Sequence, residues 1–307
     1  MLQGLRTYRA VARVLHGEQT PRAVSLRALF TIRSLLASPE SDTWYAELSR
    51  EPLARAAAVN PSLYRKIVRP YLTSHTTDEE KLRILLAHRA MLSEVLVPHA
   101  IARAYSSEGI PLARLHAKNG DEVELRLASD GKYRKEGEHS LMLLGAATGL
   151  RLSTLTFVGD TPGGRRTLLV GGAQGLPRGV PKSVISDVTK GLFGMRPKAL
   201  LLFALRQLAI EWHVGAIRAV GNDIHVSRHH DYALNRSRRP RLGYDEFWIE
   251  SGGVMSTDGF IDLPLAQPLR NDEAIPTGKR AIYRRRYVML DQFVADMRRT
   301  LASLQPA

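Results

Sequence analysis

Cysteine is absent from this chain of 307 residues. That excludes disulfides, zinc–thiolate centres and cysteine nucleophiles, and it suits a reducing cytoplasm. Long apolar runs are missing too. The strongest, "ALLLFALRQLAI" at 199–210, is interrupted by Arg206 and falls short of the roughly 20 residues that a membrane span needs. The opening "MLQGLRTYRAVARVLHG" has the arginine-rich, acid-poor look of a transit peptide, but neither the apolar block nor the cleavage site of a secretory signal. It reads as the first helix of the protein. Acidic residues are in deficit, with 30 Asp/Glu against 44 Lys/Arg and a formal charge of +14. The surplus is five over residues 1–110, four over 111–195 and five over 196–307. With no basic tail or basic domain, a nucleic-acid partner is not expected.

What is present changes texture once. Residues 1–108 read as a helical region. Leu2, Leu5, Tyr8, Ala12 and Leu15 recur at helical spacing, with Arg6, Arg9 and Arg13 mostly off that stripe. "PRAVSLRALFTIRSLLA" opens on Pro21, a good first-turn residue, and "TTDEEKLRILLAHRAMLSEVL" opens on a capping threonine with acids behind it. From 109 to 307 the pattern is mixed. "LARLHAKNGDEVELRLAS" is two alternating runs about Asn119-Gly120, a hairpin signal. Three further strand candidates follow, "HSLMLLGAA", "LRLSTLTFVG" and "RRTLLVGGAQG". A helix closed by Gly194 comes next, then a longer one with Pro197 in its first turn and Gly215 past its end. "AIRAV" is a buried strand, before irregular sequence and a final helix. The expected class is α+β: an N-terminal helical region packed, without a flexible linker, on a mixed, mainly antiparallel sheet with flanking helices.

"MRPKALLLFALRQLA", "AVGNDIHVSR", "YDEFWIESGG", "GFIDLPL" and "IPTGKRAIYRRRYVMLDQ" stand in the order of motifs that they resemble in the VirK/YbjX family of Gram-negative bacteria. "PYLTSHTTDEEKLRILLAHRAML" resembles the weaker N-terminal part. Gly221 stands where the family often has serine, and Thr277-Gly278 where it has a Ser-Lys pair. The resemblance implies a link to virulence and to survival of antimicrobial peptides at the envelope, a context rather than a reaction.

A second resemblance, at the level of fold, is to the GNAT acyltransferases. In that fold antiparallel strands lead to a strand that ends on a pyrophosphate loop; a helix and another strand follow. "RTLLVGGAQGLPRGVPKSVISDV" has that shape. The resemblance makes Gly172, Gln174, Gly175, Arg178 and Gly179 a loop for the diphosphate of an acyl-CoA, aided by a helix N-terminus. Pro177 stands where the pattern has a glycine, and proline offers no N–H. The competing reading is a plain Gly/Pro turn. On this reading no cofactor is required; acyl-CoA is a co-substrate and an amine the acceptor. Asn222, His225 and Tyr244 are the candidate catalytic residues, with Tyr244 protonating the departing thiolate. Trp248 is a candidate pocket wall, although Tyr244, Phe247 and Trp248 share one helical face and would equally serve as packing. His225 and His229 sit i,i+4, but a third ligand is lacking and no metal is expected.

The run "IPTGKRAIYRRRYVML" carries only basic charge, yet it continues into the stripe Tyr283, Tyr287, Leu290, Val294, Met297, Leu301. It therefore reads as the start of a core-docked helix. Arg286 falls on the apolar seam, where a buried guanidinium calls for a carboxylate or an anionic ligand. The leading functional expectation is a cytoplasmic acyl-CoA-dependent N-acyltransferase working on an envelope precursor or small amine. The alternative is a non-catalytic factor at the inner face of the inner membrane, with the basic N-terminal helices on anionic lipid and the sheet domain recruiting a protein partner.

Overall fold

The computed structural model describes residues 2–231, 243–266 and 275–306. The first helices, α1 (Leu2–Leu15) and α2 (Pro21–Leu36), form a hairpin. Tyr8, Val11 and Ala12 face inward from α1, as the helical spacing requires, while the side chain of Leu2 lies outside the described residues. Thr20 caps α2 by accepting from the Ala23 N–H at 3.1 Å. Next come α3 (Glu40–Glu47), α4 (Leu53–Val59), α5 (Asp78–Val95) and α6 (Pro98–Ala104). Thr77 and Glu80 satisfy each other's main-chain donors at the start of α5, a capping box.

The sheet follows as β1 (Ile110–His116), β2 (Glu122–Ala128), β3 (His139–Gly145), β4 (Arg151–Asp160) and β5 (Thr167–Gln174). Then come α7 (Ser183–Gly191), α8 (Pro197–Glu211), β6 (Ala216–Val220), α9 (Tyr244–Glu250), β7 (Val254–Met255), β8 (Phe260–Leu263) and α10 (Arg280–Ala302). The strand order is β1-β2-β3-β4-β5-β6-β8-β7. Among the described residues β5–β6 is the one parallel pair, and α7 and α8 make its crossover. The α+β class and the mixed, mainly antiparallel sheet are as expected. Helices α5 and α8 pack on β4 and α10 packs on β1. One apolar core runs from Tyr8 in α1 to Leu301 in α10.

Local details depart from expectation for physical reasons. The stretch 254–263, read as irregular, is the hairpin β7–β8 about Asp258-Gly259; β7 has only two residues, too few for an alternation to register. Gly215 does not end α8. His213 takes the left-handed conformation (φ 52°) instead, and the Val214 N–H reaches back to the Ala209 carbonyl at 2.8 Å. Among the described residues Arg286 has no carboxylate partner. Its Nε and Nη2 donate to the Phe193 carbonyl at 3.0 and 2.6 Å, and the guanidinium lies 4.3 Å from the Tyr283 ring centroid. A loop carbonyl has neutralised the need that the seam position implied.

A buried polar layer joins the helical region to the sheet. Lys66 pairs with Glu138 at 2.8 Å, both nearly inaccessible. Lys66 also donates to the Arg134 and Gly137 carbonyls, at 2.7 and 2.6 Å. Tyr71 donates to Glu138 at 2.9 Å. Burial lowers the Lys66 ammonium pKa, against the pull of Glu138, and raises both the Tyr71 and Tyr105 phenols.

Candidate functional site

The β5–β6 pairing runs from Thr167↔Ala216 to Val170↔Ala219, while β5 continues to Gln174 without β6 beside it. The strands part at Gly171, which is also the extra residue of a bulge: Thr156 pairs with Gly172 and Phe157 with Val170. Glycine is required there, since a Cβ on Gly171 would overlap the Glu136 carbonyl oxygen, and one on Gly172 the Glu136 carboxylate.

The space between the parting strands is filled by a compact polar cluster. Gln174 Nε2 donates to Glu136 Oε2 at 2.5 Å and to the Tyr244 hydroxyl at 2.8 Å. His225 packs edge-on to Tyr244, with ring centroids 5.5 Å apart. The Ser227 N–H donates to His225 Nδ1 at 3.2 Å. The single ring N–H is therefore on Nε2, which stands 3.6 Å from Glu136 Oε1, beyond hydrogen-bond reach. Asn222 Oδ1 accepts from the Tyr244 N–H at 3.2 Å, and the Asn222 N–H donates to Asp245 at 2.8 Å. Asn222 thus caps α9 rather than a helix of its own, and this aims Tyr244 at β5. Burial, then the charge of Glu136, raises the Tyr244 phenol far above its ordinary value, so it stays protonated.

This cluster leaves bonding capacity unused. Gln174 Oε1, His225 Nε2 and Trp248 Nε1 are buried without a hydrogen-bond partner among the described residues. Buried polar atoms are nearly always paired, so these three unpaired ones call for a reason.

Beside the cluster opens a cleft of about 810 Å³. Its floor is apolar, from Leu152, Ile185, Leu202 and Phe247. Its basic side is Lys182 and Lys190 of the α7 segment with Arg196 and Lys198 at the start of α8. Glu246 and Glu250 of α9 stand across from them, with Glu250 3.9 Å from Arg196. Lys198 lies over the Phe247 ring at 5.8 Å, and burial lowers its pKa. Two lining residues, Gly175 and Gly243, are the chain neighbours of Gln174 and Tyr244. The cleft and the polar cluster therefore adjoin through Gly175 and Gly243.

The residues picked out from sequence divide accordingly. Asn222, His225, Tyr244 and Gln174 come together in the cluster, with Gly172 beneath Glu136. Gly175 lines the cleft. Arg178 and Gly179 are exposed beyond it, Trp248 is fully buried behind Tyr244, and Arg286 is bound elsewhere on Phe193. Sequence reasoning passed over Glu136 and Lys198. Glu136 sits in the loop before β3 with no local signal, whereas Lys198, a cation in the first turn of an apolar helix, was open to notice. His229, His230 and Asp231 place potential ligand atoms within 4.8 Å of one another, but Asp231 is already bonded to Arg33 at 3.1 Å.

The family described as "Protein of unknown function (DUF535)" matches residues 19–299. Escherichia coli "Uncharacterized protein YbjX" is 34% identical over 275 residues, covering 89% of this chain and 82% of its own. The chain belongs to the VirK/YbjX family. Two Haemophilus influenzae proteins, each named "Uncharacterized protein", are 32% identical over 130 residues and 31% over 140, covering 43% and 44% of their own lengths. The family match, at residues 19–299, reaches from α2 into α10, so family membership embraces the helical region as well as the sheet. No described helix of this VirK/YbjX chain is long and apolar enough to cross a membrane.

Proposed function

We propose that this VirK/YbjX protein transfers an acyl group from an acyl-CoA-type thioester to an amine. The observation that carries the reading is the parting of the parallel pair β5–β6 at the Gly171 bulge, with unsatisfied buried polar groups in the gap and a basic cleft beside it. The cations Lys182, Lys190, Arg196 and Lys198 suit the phosphates of the donor, and the α8 N-terminus adds its dipole. The apolar floor suits the pantetheine arm.

At the cluster the chemistry balances without a covalent intermediate. The amine nitrogen attacks the thioester carbonyl, its proton passes to Glu136, and a C–N bond forms as the C–S bond breaks. The His225 Nε2–H is a donor for the carbonyl oxygen as it gains charge. Tyr244, held protonated, donates a hydrogen bond to the departing sulfur, and the thiolate takes the proton that Glu136 received from the amine, which restores both groups. Glu246 and Glu250 on the far wall suit a cationic acceptor.

Calorimetry with CoA, acetyl-CoA and longer acyl-CoAs tests the reading. Binding is expected, and Lys198→Glu with Arg196→Glu is expected to weaken it at least about tenfold, the cost of one or two charge contacts. No heat at millimolar ligand, or unchanged affinity in the double variant, refutes it. With binding established, Tyr244→Phe is expected to lower turnover while leaving affinity within about twofold.

A further inference from the structure

The outward face of α2 is apolar although it faces solvent. Ala23, Phe30 and Ser34 turn inward. On the opposite side Val24, Leu29, Ile32, Leu35 and Leu36 are exposed, Leu36 at 80%, Ile32 at 54% and Val24 at 53%. At about 100° per residue they occupy one arc of about 140°, together with Pro21, Ser25 and Ala28. No charged residue falls within that arc. Its one polar side chain, Ser25, turns its hydroxyl back to the Pro21 carbonyl at 3.1 Å. Val14 of α1, 64% exposed, adds to the apolar surface of the hairpin. A surface helix ordinarily shows the reverse pattern, and a contiguous exposed apolar strip marks a docking face.

Charge says what docks there. Residues 1–39 hold six arginines and one acid, Glu18. Arg6, Arg9 and Arg13 of α1 and Arg22 of α2 are exposed on the same hairpin. At the inner end of the hairpin, where Arg65 reaches the Leu15 carbonyl, a cavity of about 160 Å³ is lined by Arg65, Lys66, Arg69, Arg134 and Lys135 with no acid in its walls. A second copy of the chain would bring the same positive charge face to face. An anionic lipid surface complements both the charge and the apolar strip. We propose that α2 is a membrane-docking helix, lying in the plane of an anionic bilayer with Val24, Leu29, Ile32, Leu35 and Leu36 in the interface and the arginines at the headgroups. The inference is independent of the acyltransferase reading.

The test is sedimentation of the full chain with vesicles of equal parts phosphatidylglycerol and phosphatidylcholine, against vesicles of phosphatidylcholine alone. Binding to the anionic vesicles is expected, weakening as salt is raised. Ile32→Asp with Leu36→Asp is expected to lower the partition coefficient about a hundredfold, the loss of burying two large aliphatic side chains. Both positions are exposed, so circular dichroism should report an unchanged fold. Val288→Asp, an equivalent change on exposed α10, is expected to have less than a twofold effect. Equal binding by the double variant, or equal binding to both vesicle types, overturns the proposal. So does a wild-type dimer by analytical ultracentrifugation that the double variant converts to monomer while neither form binds vesicles.

Discussion

The histidine pair in the core makes the protein's response to acid calculable. The Gly159 N–H donates to His88 Nδ1 at 2.9 Å, so the imidazole proton of His88 is on Nε2. That Nε2 lies 2.9 Å from His139 Nδ1 and donates to it, which leaves the His139 Nε2–H as a buried donor without an acceptor among the described residues. Neither ring can take a second proton without losing a bond and placing a cation beside Lys66. Burial, resisted by Glu138 and assisted by Lys66, pulls the His88 pKa down from 6.5 to about 4. Burial and then His88 lower the pKa of His139 as well. In the unfolded chain these histidines titrate near about 6.5. Because the unfolded state takes up the proton first, stability is fully present above that pH and falls as pH drops toward about 4. For His88 alone the loss, complete once pH falls below about 4, is about 3 kcal/mol. Urea unfolding, followed by tryptophan fluorescence at steps between neutral pH and mild acid, measures it. His88→Asn removes the titrating group, costs stability at neutral pH, and should flatten the pH dependence relative to wild type by about 3 kcal/mol. Parallel curves for the two proteins would show that the pair does not resist protonation and refute the reasoning.

Two further outcomes follow from the packing. Lys66→Met leaves the Glu138 carboxylate buried with only tyrosine hydroxyls, and should cost about 3–5 kcal/mol in urea unfolding; a cost under about 1 kcal/mol would mean the pair is solvated. Gly171→Ala drives a methyl into the Glu136 carbonyl, so it should destabilise by about 1–3 kcal/mol and shift Glu136 away from Gln174, seen as a lower melting temperature and, in the assay of acyl transfer, lost turnover.

Much of the architecture was legible because local signals carried it. Asn119-Gly120 marked the turn, the alternation on either side set the hairpin, and Thr77 with Glu80 announced α5. Reading the basic run at 279–286 as the start of a docked helix succeeded for the same reason: the apolar repeat that continues it has a helical period, and Met289, Leu290, Phe293, Met297 and Leu301 are its buried face. Where the local signal was short or ambiguous the reading fell short. Two residues of β7 carry no period, and Gly215 looks like a helix terminator although His213 does that work. Arg286 was assigned a charged partner because a loop carbonyl 93 residues away in the chain cannot be anticipated from its own helix.

The sequence by itself determined the absence of thiol chemistry, the helical and strand segments, the family and the surplus of positive charge, since these depend on composition and on periods of two and 3.6 residues. It also placed arginine-rich helices at the start of the chain. Only the tertiary structure decided that β5 and β6 run parallel and part at Gly171, that Glu136 lies over Gly172, and that Asn222 caps α9 from 22 residues upstream. Only it showed which side of α2 stays outside. Those outcomes depend on which distant surfaces bury one another. Burial is a property of the whole core, and no window of the chain contains it.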